Sequence, residues 1–193
     1  MRRTLARSWL ALGLAVWVVG PALAHVTPPV VLVSDREAVA GLLTGARRFF
    51  VREVKVSPEQ KRMIQQRSGW TPDENFYRFY LGRDEQSRLV GAMLFVTEYT
   101  LHGPVRVAVS LGPDGKIRGA TVVELTEETY PWLKPLIDQN FTRDYVGLDS
   151  RGPYHIKRTN LASMTNFYAQ VVASLIQRAA LLYEVALEPA AKT

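Results

Sequence analysis

The 193-residue chain contains no cysteine and only three histidines. The absence of cysteine excludes a disulfide framework, an iron–sulfur cluster and a c-type haem attachment site. His25, His102 and His155 lie far apart without a spacing such as HxxxH, so a dedicated metal site is not expected. There is also no GxSxG sequence and no histidine with a carboxylate at a useful spacing, and Glu127-Glu128 alone is not an acid/base pair. The sequence therefore offers little for catalysis by its own side chains.

Residues 1–24 have the composition of a secretory signal peptide. A basic start precedes an apolar run from Trp9 to Val19, and the small-residue sequence Ala22-Leu23-Ala24 follows as a cleavage site. We therefore predict a periplasmic or otherwise extracytoplasmic protein that begins at His25. Twin-arginine export through Arg2-Arg3 and retention as an uncleaved anchor stay open, although the apolar run is shorter than the about 20 residues that span a bilayer.

The net charge does not point to a nucleic-acid partner, and the length predicts a single domain. The formal net charge of +6 falls to +3 without the three arginines of residues 1–24, which does not indicate a nucleic-acid partner. Residues 25–193 suit a single domain that buries about two-thirds of its surface.

Two short helices and a strand are predicted at the start of this domain. Ser34-Asp35-Arg36-Glu37 has the form of a capping box, and its helix should stop near Gly45. Arg47–Val56 alternates apolar and charged residues, which predicts a strand. Ser57-Pro58-Glu59-Gln60 opens a second helix that should end about Gly69.

The middle of the chain predicts an antiparallel meander. Short polar turns such as Arg83–Ser87 and Gly112–Gly115 separate the apolar runs, and a parallel pair would need a much longer connection. The predicted strands are Phe76–Leu81, Leu89–Tyr99, Val105–Leu111 and Lys116–Leu125. The order of elements predicts an α+β fold, with an antiparallel sheet packed by a long C-terminal helix and the two N-terminal helices.

That last helix is predicted within Asn160–Glu184, after a short helix over Pro131–Asn140 and an irregular segment. Apolar side chains at spacings of three and four predict one buried stripe. The stripe comprises Phe167, Val171, Val172, Leu175, Ile176, Ala179, Leu182 and Tyr183. Asn160, Ser163, Thr165 and Asn166 are expected to cap its start, where a phosphate could also bind. An ordinary capped helix is the alternative interpretation.

The order of several short motifs resembles the FMN-binding domain of the flavin subunits of Rnf and Nqr electron-transport complexes and of small exported relatives. The motifs are a glycine strand, a Gly-Pro-led strand, a DGK turn, a Glu-Thr exit and a helix opened by SGAT. Here they read Val90-Gly91, Gly103-Pro104-Val105, Asp114-Gly115-Lys116-Ile117, Glu128-Thr129 and Ser163-Met164-Thr165-Asn166. The resemblance covers about half of the chain after residue 24.

The resemblance implies an electron carrier that holds FMN and passes electrons between redox partner proteins of the cell envelope, some of them membrane-associated. In the family the flavin phosphate is often esterified to the SGAT threonine. An ungapped match places Met164 on the glycine and Asn166 on the threonine, and Asn160 stands where the family often has aspartate. Asparagine has no hydroxyl, so either Thr165 is the acceptor after a one-residue shift, or FMN is held noncovalently by Ser163, Thr165 and Asn166.

The same resemblance places Glu128, Thr129, Tyr130 and Trp132 beside the flavin ring. A helix cap with core aromatics explains those residues equally well. His102 would face the ring or a partner, or be simply solvated. Two other functions stay open: a flavin-free relative that acts as a binding or assembly module of an envelope redox complex, and a small flavin reductase.

Overall fold

The computed structural model describes residues 27–158 and 160–187, so the predicted signal peptide lies outside the described residues. Six strands form one sheet in which every neighbouring pair is antiparallel. They are β1 Pro29–Val31, β2 Arg48–Val54, β3 Tyr77–Arg83, β4 Leu89–Thr100, β5 Gly103–Leu111 and β6 Ile117–Thr126. Their order across the sheet is β1-β6-β5-β4-β3-β2.

Within the described part of the chain, four α-helices accompany the sheet, and local capping explains where two of them begin. They are α1 Asp35–Leu42, α2 Pro58–Ser68, α3 Tyr130–Asp138 and α4 Ser163–Leu182. Ser34 forms the predicted capping box with Glu37, and Ser57, predicted as a helix start, forms a second one with Gln60. A left-handed Gly69, with φ of 73°, ends α2 as predicted. A 3-10 helix, Phe141–Tyr145, follows α3, and a π-helical turn, Tyr183–Leu187, extends α4.

The core lies mainly between the sheet and α4. The side chains of Phe79, Leu94, Val107 and Leu175 are fully buried there. A smaller cluster on the opposite face joins Ala38 of α1 to the sheet. The α+β class is as predicted, with two differences in detail: the extended lead-in adds β1 as an edge strand beside β6, and α1 covers the face opposite α4.

Most of the predicted stripe of α4 is buried, from Val172 to Tyr183, but its first residue is not. Phe167, predicted to be buried, is 52% exposed, whereas Tyr168 is fully buried. Each residue turns a helix by about 100°, so periodicity gives the spacing of a stripe but fixes its centre poorly. The predicted caps are also wrong: Ala162 is the N-cap, and no side chain among the described residues caps α4. The apolar stretch Ser163–Leu187 is long enough to cross a membrane, but 67% of its most apolar window is buried, as in a core helix.

The ladder between β3 and β4 stops halfway. Their pairing ends at Phe79 and Leu94, although β3 continues against β2 to Tyr77 and β4 continues against β5 to Thr100. The two strands therefore diverge, and an opening forms between them.

Candidate functional site

The turn after β4 and the chain leaving β6 lie at the same end of the strands. Because β5 starts where β6 ends in an antiparallel pair, His102 before β5 and Glu128 after β6 become neighbours. The His102 Nδ1 and Glu128 Oε1 atoms are 2.6 Å apart. Both side chains are partly exposed, at 33% and 43%.

Two threonines fix the chain at this edge. The Thr126 hydroxyl donates to the His102 carbonyl oxygen over 2.8 Å and lies 3.1 Å from the Thr129 hydroxyl. Gly103 has a φ of 97°, and a Cβ atom on it would lie 2.5 Å from the Thr126 methyl group. Glycine is therefore required for this close approach. The turn and the start of α3 are held together by these contacts.

An aromatic cluster forms beside the His102–Glu128 pair. The Trp132 ring stacks on Tyr168 with centroids 5.3 Å apart, and its edge meets His102 at 5.1 Å. The Tyr168 hydroxyl lies 3.1 Å from that of Thr100. Burial raises the pKa of Tyr168, the contact with Thr100 opposes the rise, and the Glu128 charge adds to it, so this phenol stays neutral at physiological pH.

A groove of about 740 Å³ runs between the β4–β5 turn and α4, and we call it the hairpin groove. Its walls are mainly apolar. They include Tyr99, Leu101 and His102 from the turn and Met164, Phe167 and Tyr168 from α4. Leu101 is fully exposed and Tyr99 is 80% exposed, so the rim presents apolar side chains to solvent.

The predicted SMTN residues divide around the start of α4. Met164 lines the hairpin groove, whereas Thr165 and Asn160 line a separate cavity of about 430 Å³ with Arg158. Ser163 and Asn166 are exposed. Because no side chain of the described residues caps the helix, its first backbone N–H groups are left for solvent or a ligand.

The residues predicted to border a flavin ring have different environments. Trp132 stacks on Tyr168, and Glu128 contacts His102, so both lie behind residues that line the groove. Thr129 is fully buried and hydrogen-bonded within the corner, and Tyr130 packs against the core. Sequence spacing missed the His102–Glu128 pair and the contribution of Tyr168. Because β5 and β6 form an antiparallel hairpin, the start of β5 lies beside the end of β6, and this relationship would have predicted the His102–Glu128 contact.

Comparison of the chain with protein-family models gives no match, and a search of curated proteins gives none either. The resemblance to FMN-binding domains therefore stays a hypothesis based on motif order. Within residues 27–158 and 160–187, no group of three or more histidine, cysteine or acidic residues is placed to hold a metal ion.

Proposed function

We propose that the chain is an extracytoplasmic electron carrier that binds FMN noncovalently in the hairpin groove. The observation that carries the proposal is the position of this aromatic, apolar groove beside the uncapped start of α4. The motif order that resembles FMN-binding domains supports the same assignment.

The groove suits a flavin ring in size and chemistry. Its volume of about 740 Å³ is within the range of small-molecule sites, which is roughly 300–1,000 Å³. Aromatic side chains offer faces and edges against which a planar ring can pack. Phe167 and Met164 lie on the helix wall, and His102 lies on the turn wall.

The start of α4 suits the phosphate group. Free N–H groups and the positive end of the helix dipole favour a phosphate there. The Ser163 hydroxyl adds a donor at the first residue of this helix, whereas the Thr165 hydroxyl lies in the separate cavity with Arg158. Asn166 adds an amide but cannot form an ester.

The placement of Thr165 favours noncovalent binding. Met164 faces the hairpin groove, but Thr165 lines the cavity that contains Arg158. An ester at Thr165 would therefore need the ribityl chain to cross over the helix start. An FMN phosphate ester at Thr165 remains the alternative mode of attachment.

Bound FMN would supply the redox chemistry, accepting one or two electrons from a reduced partner protein and passing them to an oxidised one. The chain's own residues have simpler roles. Tyr168 lines one side of the groove and is backed by the stacked Trp132 ring, and Glu128 holds the His102 ring at the groove. Exposed Tyr99 and Leu101 at the rim would contact the redox partners.

Gel filtration of the full chain after incubation with excess FMN tests the proposal. We expect retained yellow absorbance and a raised melting temperature, and weaker retention of riboflavin because it lacks the phosphate. Phe167→Ala should weaken retention, whereas Phe49→Ala, at a phenylalanine of similar exposure outside the groove, should not. No retained FMN and no thermal shift would overturn the electron-carrier assignment. Equal binding of riboflavin would refute the phosphate site.

Flavin fluorescence after a denaturing gel separates the two forms of attachment. We expect none from the purified full chain expressed in a host that can attach flavin. A fluorescent band that disappears in Thr165→Ala would establish the ester at Thr165 instead.

A flavin-free binding module is the second candidate function. The observation that favours it is Met164, which occupies groove wall where the resembling family has glycine, together with fully exposed Leu101. Exposed apolar groups around a groove are typical of protein-binding surfaces. A chain that retains no FMN, but that crosslinks in cells to one membrane complex from position 101 and not from position 49, would support this function.

A further inference from the structure

The divergence of β3 from β4 opens a cleft of about 620 Å³, which we call the through-sheet cleft. The α2–β3 connection forms one side, with Trp70 and Phe76. Val96 of β4 and Leu175 of α4 form the other. A space of this volume, lined by both aromatic and charged side chains, has the size of a small-molecule site.

Two polar atoms of the residues lining this cleft are buried without a hydrogen-bond partner among the described residues: the Tyr77 hydroxyl and the Arg178 Nε. Tyr77 is only 7% exposed. Both side chains contact Trp70: the Tyr77 ring lies 6.3 Å from it edge-on, and the Arg178 guanidinium lies 5.0 Å over it. Leaving a buried donor unpaired is costly, so each such group requires an explanation.

Both unpaired groups are donors. The other end of the Arg178 guanidinium donates to Glu98, so its Nε–H is the buried guanidinium donor left without a partner among the described residues. Burial raises the pKa of Tyr77 to about 12, and the charges of Asp73 and Glu74 contribute. Nearby backbone amides of these two acids partly offset the rise by approaching the phenol oxygen, but the O–H proton still has no acceptor. The site therefore calls for acceptor oxygens.

The rim of the cleft carries acidic side chains, which favour a positively charged group. Asp73 and Glu74 line it, both are exposed, and neither has an ion-pair partner among residues 27–158 and 160–187. Arg106, also on the lining, is already paired with Asp35. Two unpaired carboxylates beside an aromatic wall favour a cation.

We propose that the through-sheet cleft binds a free α-amino acid with a large apolar side chain. The carboxylate accepts hydrogen bonds from the Tyr77 O–H and the Arg178 Nε–H. The ammonium lies near Asp73 and Glu74, and the side chain packs on Trp70 and Phe76.

This site adjoins the flavin site of the proposed function, because Glu98, Tyr99 and Arg178 line both spaces. Its Arg178 end lies 15 positions after the first residue of α4, about 22 Å along the helix from the proposed phosphate site. The two proposals are tested with different ligands, so failure of either leaves the other standing.

Isothermal titration of the full chain with L-phenylalanine tests the proposal. The comparison compounds are 3-phenylpropanoate, which lacks the ammonium, and 2-phenylethylamine, which lacks the carboxylate. We expect L-phenylalanine to bind at least tenfold more tightly than either compound. The absence of heat and of a thermal shift up to 10 mM L-phenylalanine, or equal binding of 2-phenylethylamine, overturns the assignment.

A matched pair of tyrosine variants separates binding from folding. Tyr77→Phe removes an unpaired hydroxyl, so we expect an unchanged or higher melting temperature but about tenfold weaker L-phenylalanine binding. Tyr154→Phe removes a hydroxyl that donates to the Asp149 carbonyl oxygen over 2.8 Å, so it should lower the melting temperature without changing affinity. Unchanged affinity in Tyr77→Phe refutes the donor role. The double variant D73N/E74Q should reduce L-phenylalanine affinity to that of 3-phenylpropanoate, and full affinity there refutes the ammonium site.

Discussion

The His102 Nδ1 atom lies 2.6 Å from the Glu128 Oε1 atom, although 26 positions separate the two residues. This contact links the turn after β4 to the chain leaving β6. It also holds the imidazole edge-on to Trp132, at a centroid distance of 5.1 Å.

Replacing Glu128 with alanine tests how the pair orders the groove edge. The pair is partly exposed, so the free energy of unfolding should fall by at most about 1 kcal/mol. Nuclear Overhauser contacts between His102 and Trp132 should weaken clearly. Glu127→Ala, at the exposed neighbouring residue, is the control and should preserve them. Identical contacts in both variants would show that Glu128 does not position the ring.

Asp35 should make stability depend on acid. Hydrogen bonds from Arg106 hold the pKa of Asp35 below its usual value, against a smaller opposing effect of burial. A lowered pKa in the folded state means that the contribution is present at neutral pH and is lost as the pH falls below about 4. Asp35→Asn should cost at most about 1 kcal/mol at pH 7, because Asp35 is 54% exposed, and should flatten the curve below pH 4. Urea unfolding from pH 7 to 3 measures this; parallel curves for the two proteins would contradict it.

Phe79 and Phe49 lie on neighbouring strands but differ in burial. Phe79 is fully buried and Phe49 is 48% exposed. Phe79→Ala should therefore lower the free energy of unfolding by about 3–5 kcal/mol, and Phe49→Ala by about 1 kcal/mol or less. Chemical denaturation of both variants checks the ratio. Similar losses would mean that β2 is covered in solution.

Gly91 is required by packing. A Cβ atom at this position would lie 2.8 Å from the Leu111 carbonyl oxygen, which is backbone and cannot easily move. Gly91→Ala should cost about 1–3 kcal/mol. Gly41→Ala, inside α1 where a Cβ atom meets nothing within 4 Å, should instead stabilise by about 0.5–1 kcal/mol. Thermal melts of the two variants should shift in opposite directions, and a neutral Gly91→Ala would refute the steric argument.

Much of the fold follows from local chemistry in the sequence. The capping boxes at Ser34 and Ser57 are predictable because each hydroxyl bonds an amide three residues away. The antiparallel pairing is predictable because turns such as Gly112–Gly115 are too short for a crossover.

What escaped prediction depends on contacts across the fold. Phe167 was expected in the core, but Tyr168 takes that orientation because it can stack on Trp132 and reach Thr100. The face covered by α1 depends on which side of the sheet the connection to β2 runs, and no local pattern encodes that. Of the residues expected beside a ligand, Met164 and His102 line the hairpin groove, whereas the contact between His102 and Glu128 required the sheet topology.

The half-length ladder between β3 and β4 has a mechanical consequence. Five residue pairs, from Phe79–Leu94 to Arg83–Leu89, hydrogen-bond the β2–β3 ribbon to the remaining four strands. Beyond Phe79 the ribbon is held by side-chain burial instead, because Val54 and Tyr77 at that end belong to the main core cluster. One half of the ribbon therefore depends on backbone pairing and the other half on apolar packing.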